Sequence, residues 1–160
     1  ICGSGLVDAV GCGLDLGLIE PSGRMPAGLW TVRKPVVLVQ QDVRELQLAK
    51  GAVSAGIRIL AKRFDLPLER VRKFYLAGAF GNSLPAASGR RIGLLPFPED
   101  AVEPVGNAAL LGAKMALFMP GMGGELFRDL LPRIRHVRLE EHPRFQDLFA
   151  EAMAFPGAAP

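Results

Sequence analysis

The chain has few cysteines and histidines, and both shortages exclude classes of site. Its 160 residues include only two of each. Nine residues separate Cys2 from Cys12, which is too wide for a zinc or redox pair. We therefore expect two buried free thiols in a reducing, cytoplasmic compartment. His136 and His142 stand six positions apart around a predicted short strand, a spacing that predicts solvated side chains and no shared metal.

Further absences argue against a membrane or a nucleic acid as partner. No apolar run approaches the roughly 20 residues of a membrane span. The net charge is +3, but no base-stacking platform, zinc knuckle or helix-turn-helix pattern accompanies the arginines. The N-terminus has no signal-peptide pattern, and the chain begins with Ile1 inside an apparent motif. We expect it to be a piece of a longer protein.

The most informative stretch is Tyr75–Asn82, where an apolar run ends in Gly-Ala-Phe-Gly-Asn. This pattern predicts a buried strand that delivers a glycine turn at its C-terminal end, where ligands bind in open α/β sheets. Glycine allows backbone N–H groups to approach a phosphate or a base without an intervening Cβ. A second glycine-rich helix start, Val105–Lys114, follows downstream. A purely structural turn is the alternative.

Apolar periodicity predicts helices alternating with strands, which indicates a layered α/β domain. The longest helix is expected at 43–64, with Asp42 as N-cap and an apolar face formed by Leu46, Ala49, Val53, Ile57 and Leu60. Another helix over 3–19 has Ser4 as N-cap and a possible break at Gly11 and Gly13. The other predicted helices cover 108–118, 126–133 and 145–153; the strands cover 36–39, 74–77 and 137–139; and residues 21–35 form a loop.

Five motifs in this order resemble the C-terminal domain of the reductive activators of corrinoid proteins: Ile1–Ala9, Asp42–Ala52, Tyr75–Asn82, Arg91–Pro96 and Val105–Ala109. These activators are ATP-dependent metalloproteins with a ferredoxin-like [2Fe-2S] domain at the N-terminus. Their C-terminal part belongs to the superfamily of acetate and sugar kinases, Hsp70 and actin. The resemblance covers nearly the whole chain.

The resemblance implies an α/β fold, a layered ribonuclease-H-like and actin-like ATPase lobe. A mixed sheet with flanking helices would form the second half of a two-lobe domain over residues 1–155, and 156–160 would be a disordered tail. It also implies an ATP/Mg²⁺-dependent return of Co(II) corrinoid to Co(I) on a corrinoid protein or methyltransferase, by a homodimer. The phosphate loops and the [2Fe-2S] cluster would lie upstream, so this chain would supply the adenosine side of the nucleotide site.

In the superfamily, the glycine turn lies against the adenosine and the α-phosphate. The resemblance assigns that position here to Gly78, Ala79, Phe80, Gly81 and Asn82. The usual pair of adjacent glycines is Gly78-Ala79 in this chain, and the extra methyl group narrows the approach to the nucleotide. A turn without ligand contact stays open as the alternative.

The long helix is the second wall of the site in Hsp70-like members. Gln47, Lys50 and Ser54 have the spacing of the residues that hold adenine and ribose there, and they share one helical face. A solvated polar stripe is the alternative.

Gly106 and Asn107 resemble the superfamily's second connecting motif, where two helices cross and the domains hinge. Their expected role is packing and hinge motion, with Asn107 capping a helix.

Three further features receive structural interpretations. Cys2 stands where related activators of 2-hydroxyacyl-CoA dehydratases carry an iron–sulfur ligand, but a buried thiol is the preferred interpretation. Asp8 is interpreted as a helix-turn residue, with Mg²⁺ or water orientation as the alternative. Arg90 and Arg91 are surface residues or partners for a phosphate or an acidic protein.

Two other functions compete with an activator. A scaffold or dimerisation module could keep the fold without hydrolysing ATP. The presence of Gly78-Ala79 in place of the usual pair of adjacent glycines favours this alternative. A dinucleotide-binding oxidoreductase needs Gly-x-Gly-x-x-Gly after a first strand, with an acidic residue about twenty positions later. The Gly78-x-x-Gly81 turn lacks that form, so this function ranks last.

Overall fold

The structure, a computed structural model, describes residues 1–118 and 120–157. Helices and short strands alternate along the chain in the order α1 (Gly3–Asp15), β1 (Leu29–Arg33), β2 (Val36–Val39), α2 (Gln40–Arg63), β3 (Phe74–Ala77), α3 (Gly78–Ser83), α4 (Ala86–Arg91), β4 (Val102–Gly106), α5 (Ala108–Phe118), α6 (Pro120–Leu130) and α7 (Phe145–Met153). Short 3₁₀ turns cover Leu68–Arg70, Glu99–Ala101 and Leu131–Arg133.

The strands form two separate pairs within the described residues. β1 and β2 are antiparallel, with Leu29 opposite Val39 and Trp30 opposite Leu38. β3 and β4 are parallel, and their register ends with Ala77 opposite Gly106. Because parallel strands end at the same edge, the segments that follow β3 and β4 begin side by side.

Helices α1 and α2 and the segment around Ile92–Leu95 enclose the main core. Its buried residues are Val7, Val10, Leu14, Ile19, Met25, Leu38, Val43, Leu46, Leu84, Ile92, Leu94, Leu95 and Phe155. A smaller cluster joins α2 to α7 through Ala55, Ile59 and Leu148. The α7 helix approaches closely because α2 carries Gly51, where an added Cβ would lie 3.2 Å from the Phe149 carbonyl oxygen.

Several predicted elements are confirmed. The α/β class, the strand over 36–39 and the helices over 108–118 and 145–153 agree with the structure. The helix at the N-terminus does not break, because Gly11 and Gly13 are buried and pack closely. A Cβ on Gly13 would lie 2.7 Å from the Ile19 Cδ1 atom. Glycine at this position therefore serves close packing and not chain reversal.

Other boundaries were predicted wrongly. Residues 29–33 form β1 inside the expected loop, and 137–139 form no strand. Helix α1 ends at Asp15 and follows Cys2 as N-cap. Helix α2 begins three residues early, after Val39, so Asp42 is its third residue and accepts a hydrogen bond from the Val39 N–H at 2.9 Å. Helix α6 already begins at Pro120, earlier than the expected 126.

Cys2 and Cys12 are exposed, so the prediction of buried thiols is wrong. Pro156 follows the buried Phe155, and its carbonyl accepts a hydrogen bond from Arg91. Residues 158–160 of the predicted disordered tail lie outside the described residues. Within 1–118 and 120–157, no helix combines the length and the apolar composition that a bilayer crossing requires.

Candidate functional site

Two glycines with positive φ stand together where the parallel strands end. Gly78 follows β3 with φ +93°, and Gly106 ends β4 with φ +64°. A Cβ built on either glycine would meet no atom within 4 Å. We call Gly78–Asn82 together with Gly106 the glycine edge. Its open space lies at the carboxyl end of parallel strands, where α/β folds place ligands.

Within the glycine edge, the residues divide into supporting and exposed positions. Gly81 is buried, and an added Cβ would lie 2.8 Å from the Leu76 Cγ atom, so this glycine serves packing. Ala79, Phe80 and Asn82 are exposed. The edge therefore offers backbone and side-chain groups from these exposed positions, whereas Gly81 holds the turn against β3.

The start of α1 lies beside the glycine edge. A Cβ on Gly3 would lie 2.9 Å from the Phe80 Cε2 atom, so the aromatic ring needs a glycine at that point. Sequence reasoning treated the two glycine-rich segments separately and missed their proximity. Their shared composition was the available signal, but only the fold joins positions 77 residues apart.

Asn107 performs its predicted capping role. Its Oδ1 atom accepts a hydrogen bond from the Leu110 N–H at 3.0 Å, which caps the start of α5. The prediction of a cap is confirmed, and Asn107 fixes the direction in which the chain leaves the glycine edge.

Gln47 is buried inside the chain. Only 1% of its surface is exposed. Its Nε2 atom donates to the Ser22 carbonyl at 3.0 Å and to the Met153 carbonyl at 2.9 Å, and its Oε1 atom accepts from Arg44 at 2.9 Å. All three polar contacts are thus made within the protein.

Lys50 lies beside Gln47 and caps the C-terminal end of α7. Its Nζ atom donates to the carbonyls of Ala152 and of Ala154, the latter at 2.7 Å. The ammonium also lies 5.4 Å from the centroid of the Phe155 ring. The last carbonyls of a helix lack partners within it and attract a cation, which explains a lysine that is only 2% exposed.

Residues 152–157, the C-terminal segment, are held by more than these two side chains. The Phe155 N–H donates to the Pro21 carbonyl at 2.8 Å, and its ring enters the main core. Arg91 donates to the Pro156 carbonyl at 3.1 Å and to Asp15 at 2.5 Å. The Arg91 side chain therefore has a structural role in this fold.

The structure does not leave the predicted helix face open to a ligand. Gln47 and Lys50 donate to the C-terminal segment, and Ser54 is half-buried. The solvated-stripe alternative is wrong for Gln47 and Lys50, because both are buried. The expected apolar face is also wrong in part, because Val53 and Leu60 are 47% and 38% exposed. Adenosine contact by Gln47, Lys50 and Ser54 stays a prediction and requires the C-terminal segment to move.

The burial of Lys50 makes a prediction about pH. Desolvation lowers the pKa of Lys50 from 10.5 to about 8. The unfolded chain therefore binds more protons than the folded chain between these two values, so stability rises with pH across that window. We expect the free energy of unfolding to increase by about 1–3 kcal/mol from pH 8 to 10.5, relative to Lys50→Met. Urea unfolding at each pH measures this difference, and parallel curves would contradict it.

Cys2 and Asp8 show no metal-binding arrangement. Hydrogen bonding with Ser4 lowers the pKa of the exposed Cys2 thiol, and the two side chains lie 3.4 Å apart. Asp8 is half-buried on α1. In the part of the chain that the structure describes, no three His, Cys, Asp or Glu side chains converge on a metal position.

Comparisons with known proteins give a matching family and several similar proteins. A family described as the C-terminal domain of RACo, the ASKHA domain, matches residues 1–160. The corrinoid activation enzyme RamQ of Eubacterium limosum is 29% identical over 178 residues, covering 92% of this chain and 30% of RamQ. The [Co(II) methylated amine-specific corrinoid protein] reductase of Methanosarcina barkeri is 29% identical over 114 residues, covering 71% of this chain and 21% of the reductase.

A solved structure gives the same picture of the fold. A reductive activator for corrinoid, iron-sulfur protein superposes with a TM-score of 0.84 and 28% identity, covering 99% of this chain and 29% of the activator chain. The chain thus spans about a third or less of the length of each of these relatives.

Proposed function

Because the chain belongs to the family of C-terminal ASKHA domains of corrinoid reductive activators, we propose that it is one part of an ATP-dependent activator that returns Co(II) corrinoid proteins to Co(I). The observation that carries this proposal is the glycine edge. At Gly78 and Gly106 an added Cβ would meet no atom within 4 Å, so the backbone there is open to an approaching ligand. Backbone groups can approach a flat base or a phosphate there.

The chain's own contribution would be to hold the adenosine side of Mg-ATP. Ala79, Phe80 and Asn82 are the exposed positions of the turn that would contact it, and Gly78 keeps the approach clear. Bound Mg-ATP would supply the free energy for the uphill electron transfer. Closure of the lobes around the nucleotide would connect hydrolysis to a change of conformation. A [2Fe-2S] cluster, held by a separate domain, would deliver the electron.

Corrinoid reduction by the full-length protein tests this function. The protein is mixed with a Co(II) corrinoid protein and a low-potential reductant, and visible absorption follows the cobalt state. We expect Co(I) to form with Mg-ATP and to fail to form with Mg-ADP or without nucleotide. Equal reduction in all three mixtures would contradict an ATP-dependent activator.

The two free thiols fit a reducing, cytoplasmic compartment for such chemistry.

A scaffold without ATPase activity is the second candidate. The C-terminal segment favours it. Gln47 and Lys50 already donate hydrogen bonds to this segment, whereas Hsp70-like proteins turn the side chains with the same spacing toward the nucleotide. Isothermal titration of the full-length protein with Mg-ATP separates the two. Saturable binding supports the activator, and no binding supports the scaffold.

We also propose that the protein forms a homodimer through α5. Apart from Lys114 this helix consists of apolar residues and one glycine, yet Leu111 and Leu117 are 59% and 72% exposed. Helices of this composition are normally buried. A second copy would place apolar surface against apolar surface, since a two-fold interface brings together identical patches.

Changing this surface should dissociate the dimer. We expect Leu111→Glu/Leu117→Glu to weaken self-association of the full-length protein by at least about tenfold, because both carboxylates would enter an apolar interface. Analytical ultracentrifugation measures the change. Leu16→Glu is the matched control, since Leu16 is similarly exposed, at 66%, but lies after α1. A monomeric wild-type protein would contradict the proposal.

A further inference from the structure

A cleft outside the glycine edge has two arginines and two histidines among its lining residues, together with one carboxylate. It has a volume of about 480 Å³ and lies between the end of α2 and the segment before α7. Its lining residues are Arg63, His136, Val137, Arg138, Glu141, His142 and Pro143. Both histidines of the chain therefore line one cleft; His136 is exposed, as its spacing predicted, and His142 is half-buried.

The charges in the cleft are unbalanced. The Glu141 carboxylate accepts a hydrogen bond from the Arg138 guanidinium at 2.5 Å. Within the described residues, Arg63 makes no ion pair and no side-chain hydrogen bond, so its five N–H donors have no protein acceptor. A guanidinium of this kind is suited to two-point binding of a phosphate.

The histidines add further donors. The His142 Nδ1 atom accepts a hydrogen bond from the Arg144 N–H at 3.3 Å. Because Nδ1 accepts, the proton of the neutral ring is assigned to Nε2, which makes that atom a donor. The His136 ring makes no side-chain hydrogen bond within residues 1–118 and 120–157.

The backbone carbonyls at the end of α2 do not offset the attraction of this cleft for an anion. The last carbonyls of α2 would normally repel one. Here the carbonyls of Leu60, Ala61 and Lys62 accept hydrogen bonds from the N–H groups of residues 64, 66 and 65. The opposite wall is fixed as well, since Leu139 packs against Gly56 of α2 and the His142 N–H donates to the Leu139 carbonyl at 3.0 Å.

We propose that this cleft binds a small molecule that carries two or more phosphate groups. Arg63 and Arg138 would hold the phosphates, with the ring N–H groups of His136 and His142 completing the donor set. The volume of the cleft lies in the range of small-molecule sites. Arg63 is 13 residues beyond Lys50 on α2, about 20 Å along the helix axis, so this site is separate from the predicted adenosine wall.

The two histidines provide a direct readout. Inorganic pyrophosphate is titrated into the chain with ring-labelled histidine, and NMR follows the ring signals, which His136→Gln and His142→Gln assign. We expect saturable shifts of both rings at one ligand per chain. Arg63→Gln/Arg138→Gln should weaken binding by at least about tenfold, because the two phosphate-holding forks are lost.

A control variant removes the same charge elsewhere. Arg70→Gln/Arg72→Gln changes two exposed arginines outside the cleft and should leave the affinity within about twofold. Equal weakening by both double variants, unsaturable shifts, or shifts caused by an acidic peptide and not by pyrophosphate would overturn the proposal. Repeating the pyrophosphate titration with the Gly78→Ala variant distinguishes this cleft from the glycine edge, since the shifts of both histidine rings should persist there.

Discussion

Gly23→Ala is expected to lower the free energy of unfolding by about 3–4 kcal/mol, the largest stability loss that we predict for a single methyl group. Gly23 has φ +82°, a conformation that side chains rarely adopt. An added Cβ would also lie 2.3 Å from the Gln47 Oε1 atom and 2.5 Å from its Nε2 atom. The buried amide must therefore move, and the carbonyls of Ser22 and Met153 lose their donor.

Gly28→Ala separates the backbone cost from the steric clash. Gly28 has φ +72°, but an added Cβ would meet nothing within 4 Å. We expect this variant to lose only about 1 kcal/mol, the usual cost of a side chain at positive φ. Urea unfolding followed by circular dichroism compares the two variants. Equal losses would show that Gln47 does not hold the C-terminal segment in the way its hydrogen bonds indicate.

Gly78→Ala should weaken Mg-ATP binding by the full-length protein at least about tenfold, or about 1.4 kcal/mol. The added methyl group would stand in the open space of the glycine edge, which we assign to the nucleotide. The folded chain should tolerate the change at a cost of about 1–2 kcal/mol, because only the backbone conformation resists it. Isothermal titration measures the affinity.

Gly17→Ala is the matched control for this second variant. Gly17 has φ +69° and open surroundings, but it follows α1 and not a strand of the parallel pair. Its affinity for Mg-ATP should stay within about twofold of the wild type. If Gly78→Ala binds Mg-ATP as tightly as Gly17→Ala, the nucleotide does not contact the glycine edge.

Local patterns were sufficient for much of the fold. The strand over 36–39 is a β-branched run, and the helix over 145–153 has regular apolar spacing, so neighbouring residues alone determine both. The motif order was enough to identify the family, which the comparisons confirm. The strand over 29–33 was missed because Pro26, Gly28 and Pro35 surround it, and its pairing with β2 outweighs those turn residues.

The buried side of α2 could not be predicted from local spacing. Periodicity favours its apolar residues, but residues 152–154 lie about 100 positions away and turn Gln47 and Lys50 inward. A buried polar group is stable there because backbone carbonyls satisfy it. Such a contact depends on where α7 docks, and α7 docks on Gly51, which has no apolar side chain to indicate a packing surface.

The same limit applies to the site. The glycine turn after β3 was visible in the sequence, since two glycines follow an apolar run. The partner position at Gly106 and the approach of Phe80 to Gly3 depend on strand register and helix packing. Local patterns indicate each glycine-rich segment, but they do not indicate which segments lie side by side.

Photo-crosslinking with 8-azido-ATP tests the central claim most directly. The full-length protein is labelled in the presence of Mg²⁺, digested and mapped by mass spectrometry, with excess Mg-ATP as competitor. We predict competable labelling within residues 75–82, where Tyr75 and Phe80 are 60% and 48% exposed. Labelling confined to residues 47–54, or absent from residues 1–157, would contradict a nucleotide held at the glycine edge.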